Sequence, residues 1–413
     1  MMNRKYLILV PDGMADYPIK SIGNKTPLMV ANTPNMDLLA KKGLLGLAKT
    51  VPDGMEPGSD IANFTIMGYE PKYYTGRGGL EAASIGVKLN NNDVAFRCNF
   101  ITVKDGVLED YSAGKITDEE GKILIDELNR SIGRRYNVEF YHGKSYRNLM
   151  VVRDCPELLQ VECTPPHDIS GRKIDDYLIK CPQSSTSDGK NVLSDLVDRL
   201  NEIIFESRSV LEDSIVNIKR MNDKKQPANM IWLWGQGKRP NISTYKELYG
   251  IEGSVITAVD LIKGLGIYAG LDIIDVPGAT GYIDSNLLNK SEYALNSLKN
   301  KDFVFVHVEA TDEMGHEGNL EGKIKAIERF DREILGTILD GLDEFKEFSI
   351  LLLPDHPTPI EYKTHTSDPV PFVFYDNKST VSDNIKEFNE ESAKKGSLGL
   401  VMANKLVRLL FNL

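Results

Sequence analysis

Phe303–His316, FVFVHVEATDEMGH, decides how the chain is read. β-Branched and aromatic residues run together and then give way to polar ones, so the stretch reads as a buried strand entering a loop. In open α/β sheets ligands gather at the carboxyl ends of strands. Asp312 and His316 lie there, and residues four apart on a helical turn share one face, so both side chains can converge on one cation. His307, inside the strand, reads as a packed structural histidine. The same grammar recurs twice. Phe348–Pro354, FSILLLP, delivers Asp355-His356, with His365 following, and Lys5–Val10, KYLILV, runs into Pro11-Asp12-Gly13. Three strands thus end in side chains of the metal-binding type.

The whole chain bounds the possibilities. At 413 residues it is long for one domain, so two are expected. A composition of 41% hydrophobic and 26% charged residues belongs to an ordinary globular protein. No apolar run approaches the roughly 18 residues of a membrane span, and the apolar part of MMNRKYLILVPDG is too short for a signal peptide, which points to the cytoplasm. A net charge of −11 argues against a general nucleic-acid or membrane-surface binder. It leaves room for an anionic small molecule if Arg and Lys cluster locally or metals supply the positive field. Cys98, Cys155, Cys163 and Cys181 show no C-x-x-C spacing and read as free buried thiols.

Along the chain, Thr33-Pro34 starts a helix through Lys42. Val51–Asn63, VPDGMEPGSDIAN, is a turn-rich loop in which Ser59 is either a plain helix N-cap or an exposed nucleophile where backbone N–H groups favour phosphate. Thr75–Gly79, TGRGG, would form a flexible, anion-friendly turn around Arg77. From about Val87 to Gly250 the ligand-bearing strand ends disappear. Basic residues appear there beside apolar strands: Arg97, Arg147, Lys238 and Arg239, with His167-Asp168 in a proline-rich loop and an amphipathic helix at Ser194–Val210. This texture predicts a core of residues 1–86 and 249–413 interrupted by an inserted α/β domain of residues 87–248. Beyond it, Ser254–Gly264 reads as helix, Leu271–Val276 as strand, and Ile324, Ile327, Phe330, Ile334 and Ile338 as one helix face. Pro369–Tyr375 reads as an edge or terminal strand because of its prolines, and Leu398, Met402, Leu406 and Leu409 as a last helix.

Asp12, Ser59, Asp312, His316, Asp355, His356 and His365 suffice to bind two ions and leave room for substrate. Mixed carboxylate and imidazole shells suit Mn²⁺ or Zn²⁺ better than Ca²⁺. Two such ions can activate a serine hydroxyl and clamp a phosphoryl group.

With PDGMAD, EPGSDIAN, YYTGRGGLEAASIG, DVAFRCNF, IWLWGQGKRP, HVEATDEMGH and PDHPTP, the chain resembles, over essentially its whole length, the cofactor-independent (2,3-bisphosphoglycerate-independent) phosphoglycerate mutases of archaeal type, a branch of the alkaline phosphatase superfamily. The family usually has Pro where this chain has Thr311. The resemblance implies an alkaline-phosphatase-like core sheet with helices on both faces, split by a substrate-gripping insert, with the active site in the cleft between them. Asp312, His316 and His365 would hold one ion, and Asp12, Ser59, Asp355 and His356 the other. Mn²⁺ is the first candidate, Zn²⁺, Mg²⁺ and Co²⁺ are compatible, and no 2,3-bisphosphoglycerate is needed. Ser59 would take the phosphoryl group of 3-phosphoglycerate and return it to the 2-hydroxyl, while Arg77, Arg97, Arg147, His167, Lys238 and Arg239 grip the substrate. For the acid/base, Asp168 is preferred to Asp154, although His167-Asp168 also reads as a solvated surface pair. A metal-dependent phosphohydrolase and a homoserine-kinase-like phosphotransferase are the alternatives within the fold, the latter without a P-loop.

Overall fold

The computed structural model describes residues 4–182 and 192–412. In chain order the strands are β1 (Arg4–Pro11) and β2 (Leu44–Lys49), then β3 (Val94–Lys104), β4 (Val107–Asp110), β5 (Glu139–Lys144), β6 (Arg147–Val152) and β7 (Met230–Gly237). They continue with β8 (Gly253–Ile256), β9 (Asp272–Ile273), β10 (Phe303–Val308), β11 (Glu347–Leu352), β12 (Val370–Asp376) and β13 (Gly399–Met402). The chain divides into two units, Met1–Tyr74 with Asn241–Leu413, and Thr75–Pro240.

Among the described residues, the first unit carries an eight-stranded sheet in the order β13-β2-β12-β11-β1-β10-β8-β9. Every neighbouring pair is parallel except those of β12 with β11 and β2. Continuous apolar runs fit the central strands because helices cover both faces of such a sheet. Leu7, Ile8, Leu9 and Val10 of β1 are fully buried, as are Phe303, Val304, Phe305 and Val306 of β10.

Several expectations change. Residues 254–256 lie in β8 and the helix begins only at Asp260; a short apolar run of SVITAV type fits a buried strand as well as a helix. The strand expected at Leu271–Val276 shrinks to the two residues of β9. β12 is internal, not at an edge: its Pro371 pairs with β2 but lies before the pairing with β11 begins at Val373, so the missing N–H interrupts no bond on that side. Residues 399–402 form β13, and the last helix is confined to Leu406–Leu410.

The second unit is an antiparallel sheet in which β3 lies between β6 and β7, β5 flanks β6, and β4 pairs with the far end of β3. Helices Asp118–Leu128 and Val192–Glu212 bury Leu124, Leu128, Leu200, Ile203 and Ile204 with Phe96, Phe100 and Trp232. Helix Arg77–Ser84 belongs to this unit, so the division falls before Thr75 and after Pro240 rather than near residues 86 and 248. The glycines of TGRGG explain it. A Cβ on Gly78 would lie 2.1 Å from the Ala95 carbonyl oxygen, and one on Gly79 1.9 Å from that of Lys238, so only glycine lets this helix approach.

Helix Leu320–Arg329 fastens the loops that leave β1 and β11. Lys323, fully buried, donates from Nζ to Asp16 Oδ2 at 2.8 Å, to the Thr358 carbonyl at 2.8 Å and to the Ala15 carbonyl at 3.3 Å. Replacing Lys323 by Met strands a buried carboxylate, and chemical denaturation is expected to find the protein destabilised by about 3–5 kcal/mol. A loss below about 1 kcal/mol would show that the two loops hold without it.

Candidate functional site

Strand register brings the polar ends together. Leu9 of β1 pairs with Leu352 of β11, and three residues further on lie Asp12 and Asp355. On the other side Pro11 pairs with Val308 of β10, one residue short of Asp12 and Glu309. Helix Ala310–Glu317 starts directly after β10, with Asp312 in its first turn and His316 in its last.

Two groups of side chains result. In the first, Asp312 Oδ2 lies 3.2 Å from His316 Nε2, Asp312 Oδ1 lies 3.5 Å from His365 Nε2, and the two Nε2 atoms are 2.9 Å apart. Each ring turns Nδ1 to a backbone carbonyl, His316 to that of Lys363 at 3.0 Å and His365 to that of Pro57 at 3.4 Å. In the neutral rings, protonation at Nδ1 leaves both Nε2 lone pairs facing Asp312, a donor set made for a cation, whereas without a cation His316 carries a second proton on Nε2 and donates it to Asp312.

In the second group, Ser59 opens helix Ser59–Ile66, whose N-cap is Gly58 rather than Ser59 itself. Its Oγ stands 3.1 Å from His356 Nε2, which is 3.5 Å from both Asp12 Oδ1 and Asp355 Oδ2. Asp355 is fixed by the N–H groups of Gly13 (3.0 Å) and His356 (2.9 Å) on Oδ1, and by Asn63 Nδ2 (2.8 Å) on Oδ2. Gly13 has φ +61°, and a Cβ there would fall 2.5 Å from Asp312 Oδ1, so this position in the turn after β1 can carry no side chain. Ligand atoms of three sets lie within 4.8 Å of one another: Asp312, His316 and His365; Asp12, His307 and Asp355; and Asp12, Asp312 and His356. Asp12 Oδ1 and His307 Nε2 are buried without a hydrogen-bond partner among the described residues. These orphaned atoms and the carboxylate-imidazole donor set fit divalent cations.

Electrostatics follow from the crowding. Burial, then the charges of Asp355 and Asp312, push Asp12 well up. Burial raises Asp312 too, but bonds from His316 and His365 outweigh it and hold it well below the usual carboxylate range. Burial drives His356 down to about 4 against the pull of Asp355, with His365 adding to the fall. Burial would lower His316, yet its bond to Asp312 lifts it to about 9.

Sequence reading missed several partners. Asn63, one helical turn after Ser59, donates from Nδ2 to both Ser59 O and Asp355; the i, i+4 spacing was the available signal. Thr358 donates to Asp312 Oδ1 and lies 3.2 Å from His356 Nδ1. Thr311 is buried and its hydroxyl donates to the Asp12 carbonyl oxygen, a bond that Pro at this position could not make. His307 faces the acidic group instead of packing among apolar side chains alone: Nε2 is 3.3 Å from Asp12 Oδ2.

In the second unit Glu81 joins Arg77, at 2.7 Å, to Arg97, at 3.1 Å, and both guanidinium groups lie over the Trp234 ring. Burial lowers Arg97 to about 10 despite Glu81, and the charges of Arg77 and Arg147 add to this. His167 sets its ring edge against Trp234 and lies 3.7 Å from Asp168, which is exposed. Arg147 is exposed over the Tyr146 ring. Asp154 accepts a bond from Asn92 Nδ2 and has φ +49°. Lys238 contributes its carbonyl to Thr75, and Arg239 follows it at the end of this unit.

Known proteins match this chain along its length. A family model described as 2,3-bisphosphoglycerate-independent phosphoglycerate mutase matches residues 40–217. A 2,3-bisphosphoglycerate-independent phosphoglycerate mutase of Methanosarcina mazei is 52% identical over 408 residues, 98% of this chain and 99% of the relative. A solved protein of Pyrococcus horikoshii is 31% identical with a TM-score of 0.82, over 100% of this chain and 98% of that one. The cofactor-independent phosphoglycerate mutase of Thermoplasma acidophilum is 27% identical with a TM-score of 0.64, over 99% of both chains.

The His316 shift makes a pH prediction. A histidine raised from its ordinary 6.5 to about 9 by Asp312 adds stability that is complete below 6.5 and lost as pH climbs through about 9. In chelator-treated protein, the gap in melting temperature between the parent and His316→Gln is expected to shrink from pH 6.5 to 9. A gap that widens over this range contradicts the Asp312–His316 pairing.

Proposed function

The chain belongs to the family of 2,3-bisphosphoglycerate-independent phosphoglycerate mutases, and from that premise we propose that it interconverts 3-phosphoglycerate and 2-phosphoglycerate through a phosphoserine at Ser59. The observation that carries this reading is the Ser59 hydroxyl at the first residue of a helix, 3.1 Å from His356 Nε2 and beside a buried carboxylate-imidazole set.

Asp312, His316 and His365 would hold one divalent cation, and Asp12, Ser59, Asp355 and His356 a second. When bound, the cations lower the pKa of the serine hydroxyl and offset charge on the transferred phosphoryl oxygens. Ser59 Oγ attacks phosphorus in line, its bond to phosphorus forming as the bond to the 3-oxygen of glycerate breaks. The N–H groups of the first helical turn favour the phosphoryl oxygens. Asn63, by holding both Ser59 O and Asp355, keeps nucleophile and carboxylate in one geometry. Asp168 gives a proton to the leaving 3-oxygen and takes one from the 2-hydroxyl when the group returns. Arg77, Arg97, Arg147, His167, Lys238 and Arg239 hold the carboxylate and phosphate oxygens, retaining glycerate between the two transfers. That retention separates a mutase from a hydrolase.

Incubation of the purified protein with 3-phosphoglycerate and Mn²⁺ is expected to yield 2-phosphoglycerate. Ser59→Ala should lower this exchange by at least about 10³-fold, with bound metal and melting temperature largely retained because Ser59 is one ligand among several. Free phosphate without 2-phosphoglycerate would make the protein a hydrolase, and turnover only with ATP and homoserine a kinase.

A further inference from the structure

His307 is fully buried at the middle of the acidic group, and its two ring nitrogens meet different surroundings. Nδ1 lies 3.3 Å from Glu309 Oε1 and 3.4 Å from Thr257 Oγ1. Glu309 is itself locked: Oε1 accepts from Ala258 N at 2.9 Å and Thr257 Oγ1 at 3.1 Å, and Oε2 pairs at 3.0 Å with Lys290 Nζ. Lys290 is fully buried and also donates to the His307 carbonyl at 2.8 Å. With its charge matched by Lys290, Glu309 is an acceptor only, so the ring proton belongs on Nδ1.

Nε2 then presents a lone pair to Asp12 Oδ2 at 3.3 Å and Asp355 Oδ2 at 3.8 Å. In the neutral ring three acceptor atoms converge without a donor among them, and Nε2 has no partner of hydrogen-bond geometry among the described residues. Such an arrangement calls for a cation at its centre. Neighbouring ligands bound at about 2.0–2.2 Å lie roughly 2.8–3.6 Å from one another, and the 3.3 Å between His307 Nε2 and Asp12 Oδ2 falls within that span. A carboxylate on the far ring nitrogen is also the usual partner of a metal-bound histidine, fixing its tautomer and orientation.

We propose that His307 Nε2 is a ligand of the cation shared by Asp12 and Asp355, and that Glu309 and Lys290 form the relay that aims it. This rests on the reading that Asp12 and Asp355 hold an ion, and it assigns that ion an imidazole from inside β10 in addition to His356. Lys290 and Glu309 are positioning residues.

The test is direct titration of the chelator-treated full chain with Mn²⁺ by calorimetry, and with Co²⁺ by visible absorption, for the parent, His307→Gln, Glu309→Gln and Asp355→Asn. His307→Gln is expected to weaken one of two Mn²⁺ sites at least 100-fold and to change the Co²⁺ spectrum. Glu309→Gln, which leaves the ring in place, is expected to cost that same site about 10–100-fold and gives a second reading should His307→Gln fold poorly. If both variants bind as the parent does while Asp355→Asn loses a site, His307 is no ligand and this inference fails alone. If Asp355→Asn also binds normally, the two-cation reading falls with it.

Discussion

Three buried carboxylates, Asp12, Asp312 and Asp355, lie within a few ångströms of the same imidazoles, and like charges at such range repel by several kcal/mol in a protein interior. Everything around them acts on that repulsion. Thr358 and the protonated His316 donate to Asp312, while two backbone N–H groups and Asn63 donate to Asp355. Among the described residues Asp12 has no comparable donors, and it alone of the three is pushed above the usual carboxylate range, by burial and then by the charges of Asp355 and Asp312. A group kept that way in the core is tolerated when a cation completes it, so the least satisfied side chain marks where binding energy is available.

The second unit solves the opposite problem, the gathering of cations. Arg77 and Arg97 share Glu81 and stack on Trp234, and Arg97 is buried deeply enough that its charge is costly. An aromatic face and one carboxylate hold the two guanidinium planes in fixed orientation, which suits bidentate recognition of an oxyanion better than mobile lysines would. The glycines nearby let the helix that carries Arg77 pack closely against the Ala95 and Lys238 carbonyls.

Much of the site could be read from sequence because Asp12, Asp312 and Asp355 each follow an apolar run, and strand ends are where side chains escape the core. Parallel register then does the assembly. What stayed hidden depends on neighbours distant in the chain. His307 sits inside an apolar strand, where alternation makes any residue look like packing, and only the approach of β1 and of Lys290 reveals its role. Asn63 and Thr358 are ordinary polar residues until Asp355 and Asp312 come beside them. Pro371 pointed to an edge strand because prolines interrupt ladders, yet the offset between β11 and β2 gives it a harmless place. Ser254–Ile256 lacked any period that separates strand from helix.

β1 is a central strand of the larger sheet, yet both its partners are made some 300 residues later, whereas the antiparallel sheet is drawn from one continuous stretch. At roughly 5–20 residues per second on the ribosome, KYLILV waits on the order of 15–60 s, unpaired on both edges. The nascent chain must therefore shelter an aggregation-prone segment while the interior unit closes first. Birth order, rather than final stability, is where this architecture is most exposed.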